Sequence, residues 1–370
     1  MTRKPRLLAL LTDGYGAQGG IARYNQDLFD SLAEGGAQSV ILPRHGDAGA
    51  IALPPGIRQE RAAFGRLRYV VNSLVAALRL GPFDVVFCGH LYMAPLAWML
   101  ARLLRARLWV QAHGVEVEDA PGGLTRTAIE AADLVTVVSR ATRHTLLSWA
   151  NLIPERVRVL PDTVRDMFVP GPRSETLRAR FGLGAGPILL TVGRLAASER
   201  YKGHEQIFAI LPALRLKFPT LVHVVAGDGD DRARLEARAI ELSGDRTAVR
   251  FLGYVPEADL PDLYRSADLY VMPSTKEGFG IVYLEAAGCG LRVVGGVGGG
   301  SADAVSGEQI GVLVDPADGT ALEAAILRLL AMGRTTPDAV APYRRDRFAA
   351  AANLLLARLM AHPRRMKGAA

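Results

Sequence analysis

Short apolar runs alternate with helical patterns along this chain, and they do so in two separate series. Strand-like runs at 7–11, 40–42, 85–88, 108–111, 134–138 and 157–160 are interleaved with helical patterns such as 21–33, 91–104 and 140–150. Runs this short, separated by helices, predict βαβ units around a parallel sheet. The pattern loosens after Pro161. Residues 164–187 carry Pro170, Pro172, Gly182, Gly184 and Gly186 around a short helix at 175–180 and read as a link between domains. A second series then opens, with strands at 188–192, 222–226, 249–252, 269–272 and 292–294. Two Rossmann-like α/β domains are therefore expected, at 1–165 and 166–342. A last helix at 343–360 is apolar on one side through Phe348, Leu354, Leu355 and Leu359. Ligands of such sheets bind beyond the carboxyl ends of the strands, so the loops leaving the strands are where chemistry is sought.

Composition removes several classes. With 49% hydrophobic and 22% charged residues the chain reads as an ordinary globular protein. No stretch reaches the roughly 18 uninterrupted apolar residues of a membrane span; the nearest, 85–104, is broken by His90, Pro95 and Arg102. The basic start Arg3-Lys4-Pro5-Arg6 imitates a signal peptide, but its apolar run ends at Asp13-Gly14 and reads as a first buried strand. Two cysteines, Cys88 and Cys289, fit a cytoplasmic protein without a disulfide framework or zinc site. The net charge of +7 lies mostly in the half up to Arg165. Charge alone does not choose among nucleic acid, anionic lipid and an acidic acceptor.

The most informative string is Ser274-Thr275-Lys276-Glu277-Gly278-Phe279-Gly280-Ile281-Val282-Tyr283-Leu284-Glu285-Ala286. The run before it is a strand and the run from Ile281 a helix, so Glu277 sits in a tight turn. Gly278 and Gly280 are expected to take positive φ there and to present backbone N–H groups where the helix begins, a natural seat for phosphate. Glu285 falls one to one and a half turns inside that helix.

This string resembles the donor-site signature of retaining GT-B glycosyltransferases of family 4 (GT4), two glutamates separated by seven residues. The resemblance implies that Glu277 lies near the transferred hexose, that the backbone of Gly278, Phe279, Gly280 and Ile281 meets the diphosphate, and that Glu285 holds the ribose. It further implies that the last helix crosses back onto the first domain, that attack occurs from the face the diphosphate leaves, and that no metal or other cofactor is needed.

Further loops fit the same family. Arg194 follows a strand and Lys202-Gly203 comes eight residues later. Alone, such residues are usually solvated charges; beside a helix mouth they would neutralise a departing nucleoside diphosphate. The resemblance assigns that role to Arg194 and Lys202, a sugar contact to His113, and a position against the donor phosphate and the acceptor to Gly19 and Gly20. Glu116 is a weaker candidate beside His113. Residues 14–19 also spell a literal G-x-G-x-x-G, the dinucleotide signature, although Leu42 leads into Pro43-Arg44-His45 where that signature needs an acid; Asp47 is the nearest. Asp228-Gly229-Asp230 matches the metal-binding string of a different glycosyltransferase fold. It also reads as a helix cap, and in family 4 this position borders the nucleotide. Gly253 and Tyr254 would receive the base. Departures are Gly290-Leu291-Arg292, where relatives carry a proline third, and Asp303 where they carry a glutamate.

Residues 58–80 combine Arg58, Arg61, Arg66, Arg68 and Arg79 with Phe64, Leu67, Val71, Leu74 and Leu78 at helical spacing. Such a helix either lies on the inner face of a membrane or packs its apolar stripe on its own sheet. The expected activity is transfer of a mannosyl or glucosyl group from a nucleotide sugar to a glycan or lipid-linked glycan, without nucleic acid as a partner. The rivals are a GT-B epimerase or phosphorylase, a dinucleotide-dependent oxidoreductase and a non-catalytic partner.

Overall fold

The computed structural model describes residues 3–46, 49, 51–305 and 309–361. It divides into two compact units, one formed by the chain up to Thr163 together with the segment from Arg345, the other by Val164–Arg344.

In the first unit the described residues form a seven-stranded sheet. Its strands are β1 (Arg6–Asp13), β2 (Gln38–His45), β3 (Ile57–Gln59), β4 (Val85–Cys88), β5 (Arg107–Ala112), β6 (Leu134–Val137) and β7 (Val157–Val159). The order is β3-β2-β1-β4-β5-β6-β7 and every pairing is parallel. Strand order reverses between β1 and β4. Leu7 through Leu11 and the whole of β4 are fully buried, as strands covered by helices on both faces must be. The last helix, Arg345–Ala361, packs against the Gly20–Glu34 helix: Asn353 donates to the Ser31 carbonyl (2.8 Å), and Phe348 meets the Tyr24 ring edge-on.

One stretch differs from expectation. Residues 58–80 are not a single helix: Arg58 lies in β3, paired with Val40, and the helix runs only over Arg66–Leu80, after Gly65 at φ +87°. Its packed side is Tyr69, Ser73, Ala76 and Ala77, whereas Leu67, Val71, Val75 and Leu78 face outward, Leu67 being 79% exposed. Of the expected apolar stripe only Leu74 packs against the unit's core, with Leu80 beside it, while Phe64, Leu67, Val71 and Leu78 stay outside.

In the second unit six strands stand in the order β10-β9-β8-β11-β12-β13, again all parallel, among the described residues. They are β8 (Ile188–Val192), β9 (Val222–Ala226), β10 (Val249–Gly253), β11 (Leu269–Met272), β12 (Arg292–Gly296) and β13 (Gly311–Val314). Order reverses between β8 and β11. β3 and β13 were not anticipated: β3 carries Arg58 and Gln59, and the middle of β13 is only half-buried. The glycine-rich run Gly295–Gly300 begins inside β12 and packs backbone against backbone on the Ser274–Glu277 turn. Among the described residues no helix is long and apolar enough to cross a membrane.

Candidate active site

Both reversals of strand order place polar side chains at strand ends, and each is described within its own unit. In the second, β8 runs into Gly193-Arg194 and β11 into the turn carrying Glu277. These strands are neighbours, so the two loops meet. Lys202 Nζ lies 2.5 Å from Glu199 Oε2 and donates to the Arg194 carbonyl at 3.2 Å, while Arg194 Nη2 pairs with the other oxygen of Glu199. Lys202 and Glu199 are nearly buried, their side chains 12% and 11% exposed; Arg194 is open to solvent.

Glu277 is half-buried, with its Oε2 sealed from water and unpartnered among the described residues. Burial pushes its carboxyl up to about 7; the Lys202 ammonium opposes that shift, the Glu199 carboxylate adds to it, and the Ser274 hydroxyl opposes it. A carboxylate titrating near neutrality between a lysine and a second acid marks a functional site more often than a surface turn.

The turn is held by what its glycines lack. A Cβ on Gly299, itself at φ +63°, would sit 2.3 Å from the Glu277 carbonyl oxygen, so only glycine lets this loop close on the turn, where the Gly300 N–H reaches the same carbonyl at 2.6 Å. Gly280 at φ +91° precedes the Ile281–Gly288 helix, and a Cβ there would enter the Tyr283 ring. Gly278 is buried but does not take positive φ, contrary to expectation: one left-handed residue suffices to enter the helix. Phe279 is buried against Tyr343, and Ile281 is half-buried at the helix start.

Beneath lies a tyrosine floor that the sequence did not reveal. Tyr264 donates to Glu285 Oε2 (2.8 Å), Tyr283 to the Met272 carbonyl (2.8 Å) and Tyr270 to the Val192 carbonyl (3.2 Å), so these hydroxyls hold both strand ends and the second glutamate. Glu285 is 1% exposed. The tyrosines sit in ordinary apolar runs, and nothing in spacing marks their hydroxyls. Glu199 was missed too, as one acid in a polar loop.

Asp228 accepts from the Gly229 N–H (2.8 Å) and pairs with Arg232 (3.3 Å), and its carbonyl takes the Leu195 N–H, tying this loop to that of Arg194. It caps no helix: the next helix, Arg232–Ser243, starts from Asp231, whose carboxylate is taken instead by Arg200 and Arg234. Gly253, at φ +72°, accepts the Gly227 N–H (2.8 Å), and Tyr254 is 59% exposed beside it. No group of three or more His, Cys, Asp or Glu side chains arranged to hold a metal ion occurs among the described residues.

In the first unit the reversal gathers Asp13 after β1, His90 after β4 and His113 after β5. His113 Nε2 lies 3.0 Å from the Gly89 carbonyl and its backbone N–H donates to Glu116 (2.6 Å); Tyr24 stands edge-on to its ring at 5.2 Å. Burial lowers the pKa of His113 and of His90, so both are neutral near pH 7, with Glu116 and Asp13 opposing the shift in each. His90 was not anticipated; its Nδ1 is buried and unpartnered among the described residues.

Gly19, at φ +107°, caps the Gly20–Glu34 helix, and a Cβ on either Gly19 or Gly20 would meet nothing within 4 Å. Gly14 serves packing: a Cβ there would strike the Gln59 amide oxygen, which accepts the Tyr15 N–H at 2.8 Å. Of the glycines in the dinucleotide-like spelling, Gly14 is thus accounted for by local packing. Asp47 lies outside the described residues. Away from this reversal, a cavity of about 400 Å³ runs between β2–β3 and the Arg66–Leu80 helix, lined by Leu42, Tyr69, Arg58, Arg61 and Arg79 among others.

Comparison with known proteins agrees. Residues 174–347 match the model of glycosyl transferases group 1, and residues 18–166 that of glycosyltransferase family 4. A GDP-mannose-dependent alpha-(1-6)-phosphatidylinositol monomannoside mannosyltransferase of Mycolicibacterium smegmatis is 35% identical over 68% of this chain and 69% of its own. A D-inositol 3-phosphate glycosyltransferase of Corynebacterium jeikeium is 32% identical over 58% of this chain and 55% of its own. The crystal structure of Anabaena HepE in complex with UDP superposes with a TM-score of 0.74, at 20% identity, over 95% of this chain and 98% of that one, which shows a shared GT-B fold.

Proposed function

The chain belongs to glycosyltransferase family 4, and on that premise we propose that it is a retaining, metal-independent hexosyltransferase using a nucleoside diphosphate sugar. The observation that carries the reading is the meeting of Arg194, Lys202 and Glu277 where the second sheet reverses its order, the position at which open α/β sheets bind their ligands.

In this reading the two cations stabilise the leaving diphosphate, as a divalent ion does elsewhere. The backbone of Gly278, Phe279, Gly280 and Ile281 meets the phosphates at the helix start. Glu277 orients the sugar, Glu285 holds the ribose, and the Asp228 and Gly253-Tyr254 loops border the nucleotide. His113, with Gly19 and Gly20, serves the sugar and the acceptor from the first unit. The leaving phosphate takes the acceptor's proton, so no separate base is assigned.

The acceptor is a hydroxyl of a glycan or lipid-linked glycan. The Mycolicibacterium relative, by its name, acts on a mannosylated phosphatidylinositol. The outward stripe of Leu67, Val71, Val75 and Leu78, among exposed Arg61, Arg66, Arg68 and Arg79, suits contact with an anionic membrane surface from the cytoplasmic side. Failure to sediment with anionic vesicles at low salt removes that element.

The deciding experiment is the thermal midpoint of the protein with UDP, GDP, ADP, dTDP and NAD, each with and without EDTA. A ligand at a hundred times its dissociation constant adds about 2.7 kcal/mol. A shift with one nucleoside diphosphate that survives EDTA is expected and names the base. A shift only with NAD, or only with metal, overturns the reading.

A further inference from the structure

We propose that Glu199 competes with the donor's diphosphate for Arg194 and Lys202, so that this carboxylate sets nucleotide affinity and speeds release of the nucleoside diphosphate product. The inference rests on the diphosphate role given to those two cations above.

The geometry of Glu199 carries it. Glu199 spans both cations with one oxygen each, as a phosphate would: Oε2 is 2.5 Å from Lys202 Nζ and Oε1 pairs with Arg194 Nη2. Two anions cannot both take the same pair of cations, and Glu277 already adds a second carboxyl to this field. If Glu199 stayed in place, a diphosphate and two carboxyl groups would share two positive charges, an arrangement electrostatics disfavours.

The displaced carboxylate has somewhere to go. Glu199 itself lines a cavity of about 190 Å³, together with Arg200, His204 and Arg234 and with the acids Glu205 and Asp231, both of which are already paired with arginines. Buried His204 has no hydrogen-bond partner on either ring nitrogen among the described residues. Burial lowers its pKa to about 4, so near pH 7 it is a neutral ring with one N–H to donate to an incoming carboxylate. Arg200 and Arg234 of the same cavity are already paired with Asp231, which leaves the His204 N–H as the partner for a displaced carboxylate. The carrying segment is itself irregular: Glu199 breaks its short 3₁₀ turn at φ −116°, ψ 28°.

The test is the dissociation constant of UDP and of GDP, at one ionic strength, for the wild type, Glu199→Gln and Glu199→Asp. Removing the competing charge should tighten binding by about tenfold in Glu199→Gln. Glu199→Asp, one methylene too short to span both cations, should fall between the two. Turnover should show kcat and KM falling together, because product leaves more slowly; a merely structural role for Glu199 raises KM instead. Equal or weaker binding in Glu199→Gln overturns the inference and leaves the donor site standing. Should that variant fail to fold by circular dichroism, Glu199→Asp decides in the same sense, tighter than wild type supporting and equal or weaker overturning. If the wild type binds no nucleoside diphosphate, the donor reading and this inference fall together.

Discussion

The two reversals of strand order differ in how they are built, although the same topology makes both. In the second unit the strand-end loops carry a closed charge array of Arg194, Glu199, Lys202 and Glu277, braced by glycine loops packed backbone to backbone and by three tyrosine hydroxyls. In the first unit the corresponding place holds two histidines that burial keeps neutral, His113 against the Gly89 carbonyl and His90 with its Nδ1 unpartnered among the described residues, beside the acids Asp13 and Glu116, and a helix entrance at Gly19-Gly20 with open space around it. The contrast suits the division of labour proposed above. A departing diphosphate demands fixed charge set in advance, whereas an incoming hydroxyl needs only partners for a hydrogen bond.

The largest expected effect tests that division directly. Lys202→Ala should lower kcat by a factor worth about 3–4 kcal/mol while the fold survives, since one preorganised electrostatic contact carries that much. His113→Ala should cost less, about 1–2 kcal/mol, as the loss of a neutral hydrogen bond. Steady-state kinetics on both variants, with circular dichroism to exclude unfolding, decides it; equal losses would mean that the first unit's site is as electrostatic as the second.

Next in size is a change of backbone. Gly299→Ala places a methyl 2.3 Å from the Glu277 carbonyl at a positive φ, so the glycine loop must lift off the turn. A loss of about 2–3 kcal/mol in urea unfolding is expected, with nucleotide binding lost in step. Unchanged stability would show that the loop does not brace the site.

Legibility in the sequence followed the same division. The Glu277–Glu285 string, Arg194 and Lys202 could be singled out because they resemble the family's donor-site signature; taken alone, Arg194 and Lys202 read as solvated charges. What escaped was contact without periodicity. Glu199 looked like any loop acid, and Tyr264, Tyr270 and Tyr283 looked like core. His90 became a candidate only once β4 was seen beside β1. The strands read well because buried parallel strands are uniformly apolar; the exceptions are β13, whose middle residues are half-exposed, and β3, hidden in a stretch whose arginines and leucines imitate one helix. That stretch also shows the limit of amphipathic pattern, which reports that a helix has an apolar face but not which face is packed.

A smaller effect reads the second unit's buried charge through pH. Glu277 has its carboxyl raised from 4.5 to about 7 by burial, so the folded state binds a proton that the unfolded chain has released. Stability from this group is therefore present below about pH 4.5 and is lost as pH rises to about 7, then flat above. His204 and His223, lowered by burial to about 4 and about 3, act in the opposite sense over much of the same range, so the comparison must be with Glu277→Gln, which retains both histidines. Relative to that variant the wild type should lose about 1–2 kcal/mol between pH 4.5 and 7, allowing for solvent at the partly open side chain. Parallel curves would mean that Glu277 titrates as an ordinary surface acid.

The smallest effect is the most discriminating for the first unit. Gly20 opens its helix without positive φ, and a Cβ there would meet nothing within 4 Å. Gly20→Ala should therefore raise stability by about 0.4–1 kcal/mol, through the lost freedom of the unfolded chain. Packing gives no reason for glycine at this position, in contrast to Gly299. If the donor phosphate lies against this backbone, the methyl that stabilises the fold obstructs the ligand, and KM for the nucleotide sugar should rise in the more stable protein. A higher Tm with unchanged KM would leave Gly20 without a ligand role, and the donor's phosphate contacts would then belong to the second unit alone.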